Sequence, residues 1–409
     1  MYSALRHLCC VAILTGAFGL STNSLGQTSK RYDPGASDTE IKVGNIMPYS
    51  GPASAYGIFG RTEAAYIRKI NAEGGINGRK INFISYDDGY SPPKTVEQAR
   101  KLVESDEVLL IFSSLGTPTN TAIHQYMNSR KVPQLFVATS ASKWNDPKRY
   151  PWTIGFGVSY ESEARIYAAY ILNNYPGKTI GVLYQYDDLG KDYLKGLHEG
   201  LGDKAGSLIT AEVSYDVTNP TVEPQVVRIK DTHPDIFINI STPKFAAQAI
   251  RKMAELNWKP VHILASVSNS IGAVLQVAGY ENSQDLLSAS PQKDVDDPEL
   301  RDDPGVQEWR IFMTKWYPDG DQNDGFTRNG FLLAKALERV LRQCGDDLTR
   351  ENVMRQASNL DFEIGLLLPG IRVTTSPNDF APIKQLQMMR FIGRRWERFG
   401  PILDSEKLT

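Results

Sequence analysis

The sequence predicts an α/β fold of two doubly wound lobes, each a parallel sheet covered by helices on both faces. Short apolar runs suited to strands alternate with helical patterns along the chain, and strands separated by helices indicate parallel sheets. The alternation occurs in two successive units of similar order and length. The length of 409 residues suggests two or three domains, which agrees with two lobes.

The first unit follows a polar leader at 27–40. Its strands are predicted at 41–46, 81–86, 108–112 and 134–138, and its helices at 57–71, from 91 onward and at 120–128. Ser91 and Pro92 suit the N-cap and the first turn of a helix. The segment 74–78 predicts a turn, because its Gly and Asn residues tolerate positive φ.

The second unit repeats this pattern. Its strands are predicted at 179–184, 208–214, 235–240 and 261–265, and its helices at 192–201, 220–232 and 243–257. Pro243 stands where a first helical turn accepts proline. The segment 286–290 is expected to return toward the first lobe, followed by helices at 306–316 and 326–344. A strand at 387–391 is predicted to close the chain.

The composition is that of an ordinary globular protein. Hydrophobic residues make up 41% of the chain and charged residues 22%, which is too apolar for intrinsic disorder. With 45 basic residues against 47 acidic ones, the net charge of -2 provides no broad cationic surface for nucleic acid. These numbers exclude fibrous, disordered and histone-like proteins, but they do not choose between binding proteins and enzymes.

The first 26 residues have the order of a secretory signal peptide. Arg6 and His7 form a short polar start, 8–20 is apolar, and small residues precede Gly26. The apolar run is shorter than the roughly 20 residues of a membrane span, so cleavage near Gly26 and a periplasmic location are expected rather than an N-terminal anchor. Cleavage would leave Cys344 as the single cysteine, without an intramolecular disulfide.

No stretch of the sequence carries the pattern of a catalytic centre. The five histidines show no metal-ligand spacing, and zinc, phosphate-loop and nucleophile-elbow motifs do not occur. The pairs 87–88 and 187–188 follow predicted strands, where solvated acids and helix caps are commoner than a metal site. Nothing assembles an acid–base pair or an activated nucleophile. The prediction is therefore a protein without enzymatic activity, cofactor or metal.

Three first-lobe loops follow strands and are rich in hydroxyls, small residues and backbone amides. They lie at 49–56, 113–117 and 139–142. In open α/β sheets ligands bind beyond the carboxyl ends of the strands, and amides at helix starts favour an anion. These loops predict a carboxylate site, although hydroxyls that merely cap helices are the alternative for each loop taken singly.

Serial motifs resemble the leucine/isoleucine/valine-binding family, the extracytoplasmic solute-binding proteins of ABC transporters. They stand at 41–44, 50–52 with 56–57, 71–78, 86–88, 190–196 and 241–254. The resemblance implies the type I periplasmic binding fold, with a three-crossover hinge between lobes that close on a ligand. It implies lobe 1 at 41–157 and 290–376 and lobe 2 at 158–289 and 377–409, as well as delivery of the ligand to a membrane permease. We expect a monomer that binds no nucleic acid.

Matching the family's binding loops to this sequence, one loop at a time, implies a set of ligand-binding residues. These are Tyr56, Leu115, Gly116, Thr117, Thr139, Ser140, Ala141, Phe156, Leu189, Ser241, Ser266 and Phe326. Gly116 and Thr117 match the amide-and-hydroxyl loop that holds a carboxylate. In the next loop the family's threonine is matched by Ala141. Leu189 and Ser241 stand where the family carries tyrosines, which implies a larger pocket.

The amino half of the family's pocket is not matched. Amino-acid binders place an acid after the last second-lobe strand, but 265–269 contains none. A buried ammonium without a partner costs several kcal/mol. The expected ligand is therefore a carboxylate lacking an α-amino group, aromatic or not, with Phe156 and Phe326 as candidate ring partners.

Several alternatives stay open at this point. Glu161 or Glu163 could reach an ammonium group and restore an amino-acid ligand. Arg328 is expected to be an exposed helix arginine, with a carboxylate contact as the alternative. A ligand sensor for a cytoplasmic regulator and a secreted hydrolase are the rival classes. The export signal argues against the sensor, and the missing nucleophile and base argue against the hydrolase.

Overall fold

A computed structural model of the protein describes residues 30–407. The predicted signal peptide and its cleavage near Gly26 lie outside the described residues. Within 30–407, no helix combines the length and the hydropathy that a membrane span requires.

The first lobe is built on a five-stranded parallel sheet. The elements are β1 (Arg31–Tyr32), β2 (Glu40–Met47), α1 (Ile58–Ala72), β3 (Lys80–Asp87), α2 (Pro92–Arg100), β4 (Leu110–Phe112), α3 (Thr117–Ser129), β5 (Gln134–Val137) and β6 (Thr153–Gly155). The sheet order is β3-β2-β4-β5-β6. Its strands β4 and β5 are wholly buried, because helices cover both faces.

The second lobe carries five further parallel strands, in the order β8-β7-β9-β10-β11. The elements are α4 (Tyr160–Asn174), β7 (Ile180–Gln185), α5 (Asp188–Leu201), α6 (Ala205–Leu208), β8 (Ile209–Tyr215), α7 (Glu223–Lys230), β9 (Ile236–Ile240), α8 (Pro243–Glu255), β10 (Val261–Leu264), α9 (Gln276–Ala278) and β11 (Leu287–Ser290). The segment expected to return toward the first lobe is therefore itself a strand of the second sheet, and the return follows it.

The chain then returns to the first lobe and crosses back once more. The elements are α10 (Pro304–Trp316), α11 (Gly325–Cys344), β12 (Asp347–Leu348), α12 (Arg350–Ala357), β13 (Asp361–Phe362), β14 (Val373–Thr374), β15 (Gln385–Ile392) and β16 (Arg395–Asp404). Tyr66 of α1 packs on Phe312 of α10 and Phe331 of α11, with ring centroids 5.5 and 5.3 Å apart, which fixes these helices to the first lobe. β15 and β16 add an antiparallel hairpin to the second sheet, where the sequence predicted one strand.

The predicted fold class is confirmed. Two doubly wound lobes are connected three times, after β6, after β11 and after β14. The lobe boundaries given from the sequence, after 157, 289 and 376, stay a prediction. The described part of the polar leader is also structured, because β1 pairs in parallel with β12.

Candidate functional site

A cavity of about 160 Å³ lies between the two lobes and is lined by loops that follow the strands of both sheets. In each sheet one strand has its successive neighbours on opposite sides: β2 lies between β3 and β4, and β7 between β8 and β9. Connections leave such a strand in opposite directions and open a crevice at its carboxyl end, where open α/β sheets bind ligands.

The cavity brings together most of the residues expected from the sequence. Those that line it are Tyr56, Leu115, Gly116, Thr117, Thr139, Ser140, Phe156, Leu189, Ser266 and Phe326. Ala141 and Ser241 do not line it. Ala141 is buried in the hydrophobic core, while the carbonyl of Ser241 accepts a hydrogen bond from the Ser268 hydroxyl and its neighbour Thr242 takes the place at the cavity.

Hydroxyl groups cluster at the first-lobe side of the cavity. The Oγ1 atoms of Thr117 and Thr139 are 2.6 Å apart, and Thr139 Oγ1 is 3.1 Å from the hydroxyl of Tyr160. Among residues 30–407, the backbone amides of Thr117 and Ser140 donate to no protein acceptor. Thr117 also begins α3, whose first-turn amides and dipole favour negative charge. The cluster can therefore hold an oxyanion such as a carboxylate.

Gly116 makes this helix start available to the cavity. Its φ of 104° lies in the region that favours glycine, and a Cβ atom there would be 2.4 Å from Cε2 of Tyr90. Because glycine is the N-cap, no side chain caps the first amides of α3. A Ser or Asp cap would occupy the groups that face the cavity.

Aromatic side chains form the apolar walls. The rings of Tyr56 and Phe326 have centroids 5.0 Å apart, Phe59 lies 5.6 Å from Phe326, and Phe156 packs edge-on against Phe136 at 5.5 Å. Such walls suit an apolar or aromatic body attached to the anionic group.

The lobes touch each other around the cavity. The hydroxyl of Tyr56 in the first lobe donates to the carbonyl of Val267 in the second lobe at 2.9 Å. The amide of Ser142 donates to Asp192 at 2.7 Å, which joins the lobes at another edge. Both contacts span the interface between the lobes, so residues of both lobes bound the cavity.

Glu163 is a buried acid on the second-lobe side of the cavity. It is 1% exposed, its Oε1 accepts from the Ser266 amide and the Tyr167 hydroxyl, both at 2.7 Å, and its Oε2 accepts from the Ser266 hydroxyl at 2.5 Å. Burial raises the pKa of Glu163 above its usual value, although the bonds from Ser266 and Tyr167 oppose this. Within the described chain it forms no salt bridge.

The acid at the loop after β10 is therefore supplied by α4, because the loop's own sequence contains no acid. Glu161, the other alternative, forms a salt bridge with Lys195 at 2.9 Å and does not line the cavity. α4 and this loop are about a hundred residues apart in the sequence and meet only in the folded chain. The sequence therefore offered Glu163 as a candidate but could not show that it lies at the cavity.

The position of Arg328 differs from the one predicted from the sequence. This residue is not an exposed helix arginine: it is 8% exposed and lines the cavity, because the first turn of α11 faces the lobe interface. Tyr90, Tyr160, Gln292 and Trp396 line the cavity as well and were missed from the sequence. They come from crossovers, a loop and the terminal hairpin, which carry no local signal for a site.

The acids at the end of β3 and just after β7 order the loops that follow these strands. Asp87 accepts hydrogen bonds from the amides of Tyr49 and Ser50 at 2.9 and 3.1 Å, and Asp187 caps α5 by accepting from the amide of Leu189 at 2.9 Å. In the part of the chain that the structure describes, no group of three or more His, Cys, Asp or Glu side chains could hold a metal ion.

Asp187 predicts a pH dependence of stability. Burial raises the pKa of Asp187 from 3.8 to about 6. Between about pH 4 and pH 6 the unfolded chain has released this proton while the folded chain still binds it, so the free energy of unfolding falls as pH rises through this window. We expect Asp187→Asn, which keeps the cap, to reduce this fall by about 1–2 kcal/mol, since the group is partly exposed.

Urea unfolding of the wild type and Asp187→Asn at about pH 4 and pH 7 measures this effect. Asp203→Asn, at an exposed acid outside the site, is the control. Equal pH dependence of the wild type and Asp187→Asn would contradict the prediction.

Comparison with known proteins identifies the family. A family model described as periplasmic binding protein matches residues 40–395. Leu/Ile/Val-binding protein homolog 7 from Brucella abortus is 22% identical over 369 residues, which is 88% of this chain and 89% of the relative.

Two solved structures show the same fold. A branched chain amino acid ABC transporter protein from Thermus thermophilus with bound valine has a TM-score of 0.81 at 16% identity, over 91% of this chain and 98% of that one. A solute binding protein of an ABC transporter from Rhodopseudomonas palustris, in complex with 3,4-dihydroxybenzoic acid, has a TM-score of 0.75 at 18% identity. The match covers 90% of this chain and 98% of that one. With the family match spanning most of its length, the chain belongs to the periplasmic binding protein family, whose members bind small solutes for ABC transporters.

Proposed function

We propose that this protein is the periplasmic solute-binding component of an ABC importer, that it closes its two lobes on a small carboxylate, and that it delivers this ligand to the membrane permease. The observation that carries the proposal is the cluster of Thr117, Thr139 and Tyr160 hydroxyls beside unpaired backbone amides in a cavity between the lobes. Charge-assisted hydrogen bonds from such donors are about twice as strong as neutral ones.

We propose further that the ligand lacks an α-amino group and has an aromatic or similarly apolar body. A cavity of about 160 Å³ is close to the roughly 150 Å³ that holds a benzene ring in a protein interior. The walls include Tyr56, Phe156 and Phe326. A protein of the same fold holds a dihydroxybenzoate, which agrees with this ligand class.

A branched-chain or other amino acid is the second candidate, and Glu163 is the observation that favours it. This buried carboxylate lines the cavity and has no cationic partner in the described chain, so an ammonium group of the ligand could pair with it. Another protein of this fold holds valine. Against this candidate, three hydrogen bonds from Ser266 and Tyr167 already satisfy Glu163 without any ligand.

A thermal-shift screen tests the proposal, since a ligand at 100 times its Kd stabilises the folded protein by about 2.7 kcal/mol. Benzoate and 3-phenylpropanoate are compared with valine, leucine and glutamate, and with urea as a solute without a carboxylate. Stabilisation by aliphatic amino acids alone would replace the first candidate with the second. No response to any carboxylate would contradict the proposed site itself.

Removing one hydroxyl of the cluster is expected to weaken carboxylate binding. Thr139→Val keeps the shape of the side chain but removes a donor, and a hydrogen bond to a charged group contributes about 1.5–3 kcal/mol. We therefore expect the Kd of whichever carboxylate binds to rise at least about tenfold in isothermal titration.

Thr121→Val is the matched control, because Thr121 lies on α3 with Thr117 and is exposed, and its hydroxyl donates to the carbonyl of Thr117. It should leave the Kd close to that of the wild type. Equal Kd values for Thr139→Val and Thr121→Val would show that the Thr139 hydroxyl does not bind the ligand.

A further inference from the structure

The cavity lining also contains a buried arginine, Arg328, which shares no hydrogen-bond partner with the hydroxyls of Thr117 and Thr139. Arg328 donates through Nε to Gln292 Oε1 at 3.1 Å and through Nη1 to the carbonyl of Asn323 at 3.0 Å. Both acceptors are neutral, and among residues 30–407 Nη2 has no acceptor and no carboxylate forms a salt bridge with this guanidinium. Asp324, on the preceding turn, instead accepts from the hydroxyl of Ser270 and the amide of Phe326.

The orientation of Arg328 is held from behind. The side-chain amide of Gln292 donates to Oδ1 of Asn329, so its Oε1 is directed at Arg328, and the backbone amide of Gln292 donates to the Ser290 hydroxyl at 3.1 Å. Gln292 is 7% exposed and also lines the cavity. A guanidinium held in one orientation is prepared for an anion, since less side-chain entropy is lost when the bond forms.

Two further positive groups line the cavity. Lys293 and Arg398 line it together with Arg328, and Nη1 of Arg398 is buried without a hydrogen-bond partner. Their acids, Asp303 at 2.6 Å from Lys293 and Asp297 at 3.0 Å from Arg398, do not line the cavity.

One acid faces the same space. Asp294 lines the cavity, and its Oδ2 is buried without a partner. A cationic group at the far end of a ligand would pair with Asp294, whereas an anionic group would pair with Arg328. Lys293 and Arg398 are already paired with acids, so Arg328 is the lining cation without a salt bridge among residues 30–407, and its fixed orientation favours an anion.

We propose that Arg328 is a second anion subsite and that the ligand is a dianion, with one carboxylate at the Thr117 and Thr139 hydroxyls and another acidic group at Arg328. This inference rests on the proposed carboxylate function and specifies the class of ligand. A buried guanidinium without an ion pair is costly, and a second carboxylate of the ligand would offset part of that cost.

Three acids with the same carbon skeleton test the subsite: hexanoate, 6-aminohexanoate and adipate, whose far ends are neutral, cationic and anionic. Isothermal titration of the wild type at about pH 7 is expected to give a Kd for adipate at least about tenfold below that of hexanoate, with 6-aminohexanoate the weakest. Benzoate and terephthalate repeat the comparison on an aromatic skeleton. These wild-type measurements decide the proposal even where a variant fails to fold.

Arg328→Gln is then expected to remove the preference for adipate over hexanoate. Arg350→Gln is the matched control, because this partly buried arginine also binds backbone carbonyls, those of Leu109 and Val108, away from the cavity. It should leave the adipate preference as in the wild type.

Equal Kd values for adipate and hexanoate in the wild type would overturn the subsite while leaving the proposed carboxylate function standing. Tightest binding of 6-aminohexanoate would assign the far end of the ligand to Asp294 and overturn the Arg328 subsite as well. No binding of any of these acids or of the screened carboxylates would overturn both proposals. A preference for adipate that survives Arg328→Gln would place the second anion elsewhere.

Discussion

Replacing Gly196 by alanine is expected to lower the free energy of unfolding by about 3 kcal/mol, because α4 and α5 are in backbone contact at this residue. A Cβ atom on Gly196 would lie 2.2 Å from the carbonyl oxygen and 2.6 Å from the Cα atom of Glu161. Backbone atoms cannot rotate away as a flexible side chain can, so the two helices must separate. The gain in helix propensity, about 1 kcal/mol, does not offset this.

The same substitution should impair ligand binding. Glu161 lies in the first turn of α4, between Tyr160 and Glu163, and both of these residues line the cavity. A shift of this turn moves the Tyr160 hydroxyl away from Thr139 and the Glu163 carboxylate away from Ser266. We therefore expect a Kd increase of about tenfold or more in the fraction that remains folded.

Gly206→Ala is the matched control for this experiment. Gly206 lies in the short helix α6, and a Cβ atom there would meet nothing within 4 Å. Urea unfolding should show a clear loss of stability for Gly196→Ala and none for Gly206→Ala. Equal stability of the two variants would show that the helices tolerate a larger separation than their contact suggests.

The fold could be predicted from the sequence because its signals are local. The apolar runs of β2, β4, β5 and β9 bury every or nearly every residue, which is the pattern of strands covered on both faces. Helix starts such as Pro243 carry their own residue preferences. The repeated alternation of strand and helix then leaves few topologies other than parallel sheets.

The first-lobe half of the cavity was predictable for the same reason. Gly116, Thr117 and Thr139 lie in the segments that follow β4 (Leu110–Phe112) and β5 (Gln134–Val137), and the carboxyl ends of parallel strands meet at one edge of the sheet. Ala141 and Ser241 show the limit of this reasoning, since each belongs to a loop at the cavity but points elsewhere. A loop can be placed by counting strands, whereas the direction of each side chain depends on the loop's backbone conformation.

The charged groups of the cavity could not be placed from the sequence. Glu163 reaches Ser266 across 103 positions of the chain, and Arg328 reaches Gln292 across 36. Such pairs depend on how the lobes close and how α4 and α11 enter the interface. The family resemblance implies an acid in the loop after β10, which this sequence lacks, but the folded chain supplies Glu163 to that loop from α4.

Replacing Glu163 by glutamine is expected to have opposite effects on the two candidate ligand classes, and so to decide between them. Glutamine can still accept from the Ser266 amide and donate to its hydroxyl, but it carries no charge. For an α-amino acid, loss of the buried charge partner of the ammonium should cost about 2.7 kcal/mol, a Kd increase of about 100-fold. For an acid without an amino group, the substitution removes repulsion between two carboxylates in one cavity, and binding should tighten several-fold.

We expect the second outcome, with benzoate binding more tightly to Glu163→Gln than to the wild type. The pH dependence should agree: because the pKa of Glu163 is raised, lowering the pH neutralises Glu163 while benzoate is still an anion, and wild-type affinity should rise. Glutamine cannot titrate, so the variant should lack this rise. Glu161→Gln, on the same helix and outside the cavity, is the control and should behave as the wild type. A 100-fold loss of valine or leucine binding in Glu163→Gln alone, with no response to benzoate, would assign the protein to amino-acid transport, because only a ligand with an ammonium group requires the charge of Glu163.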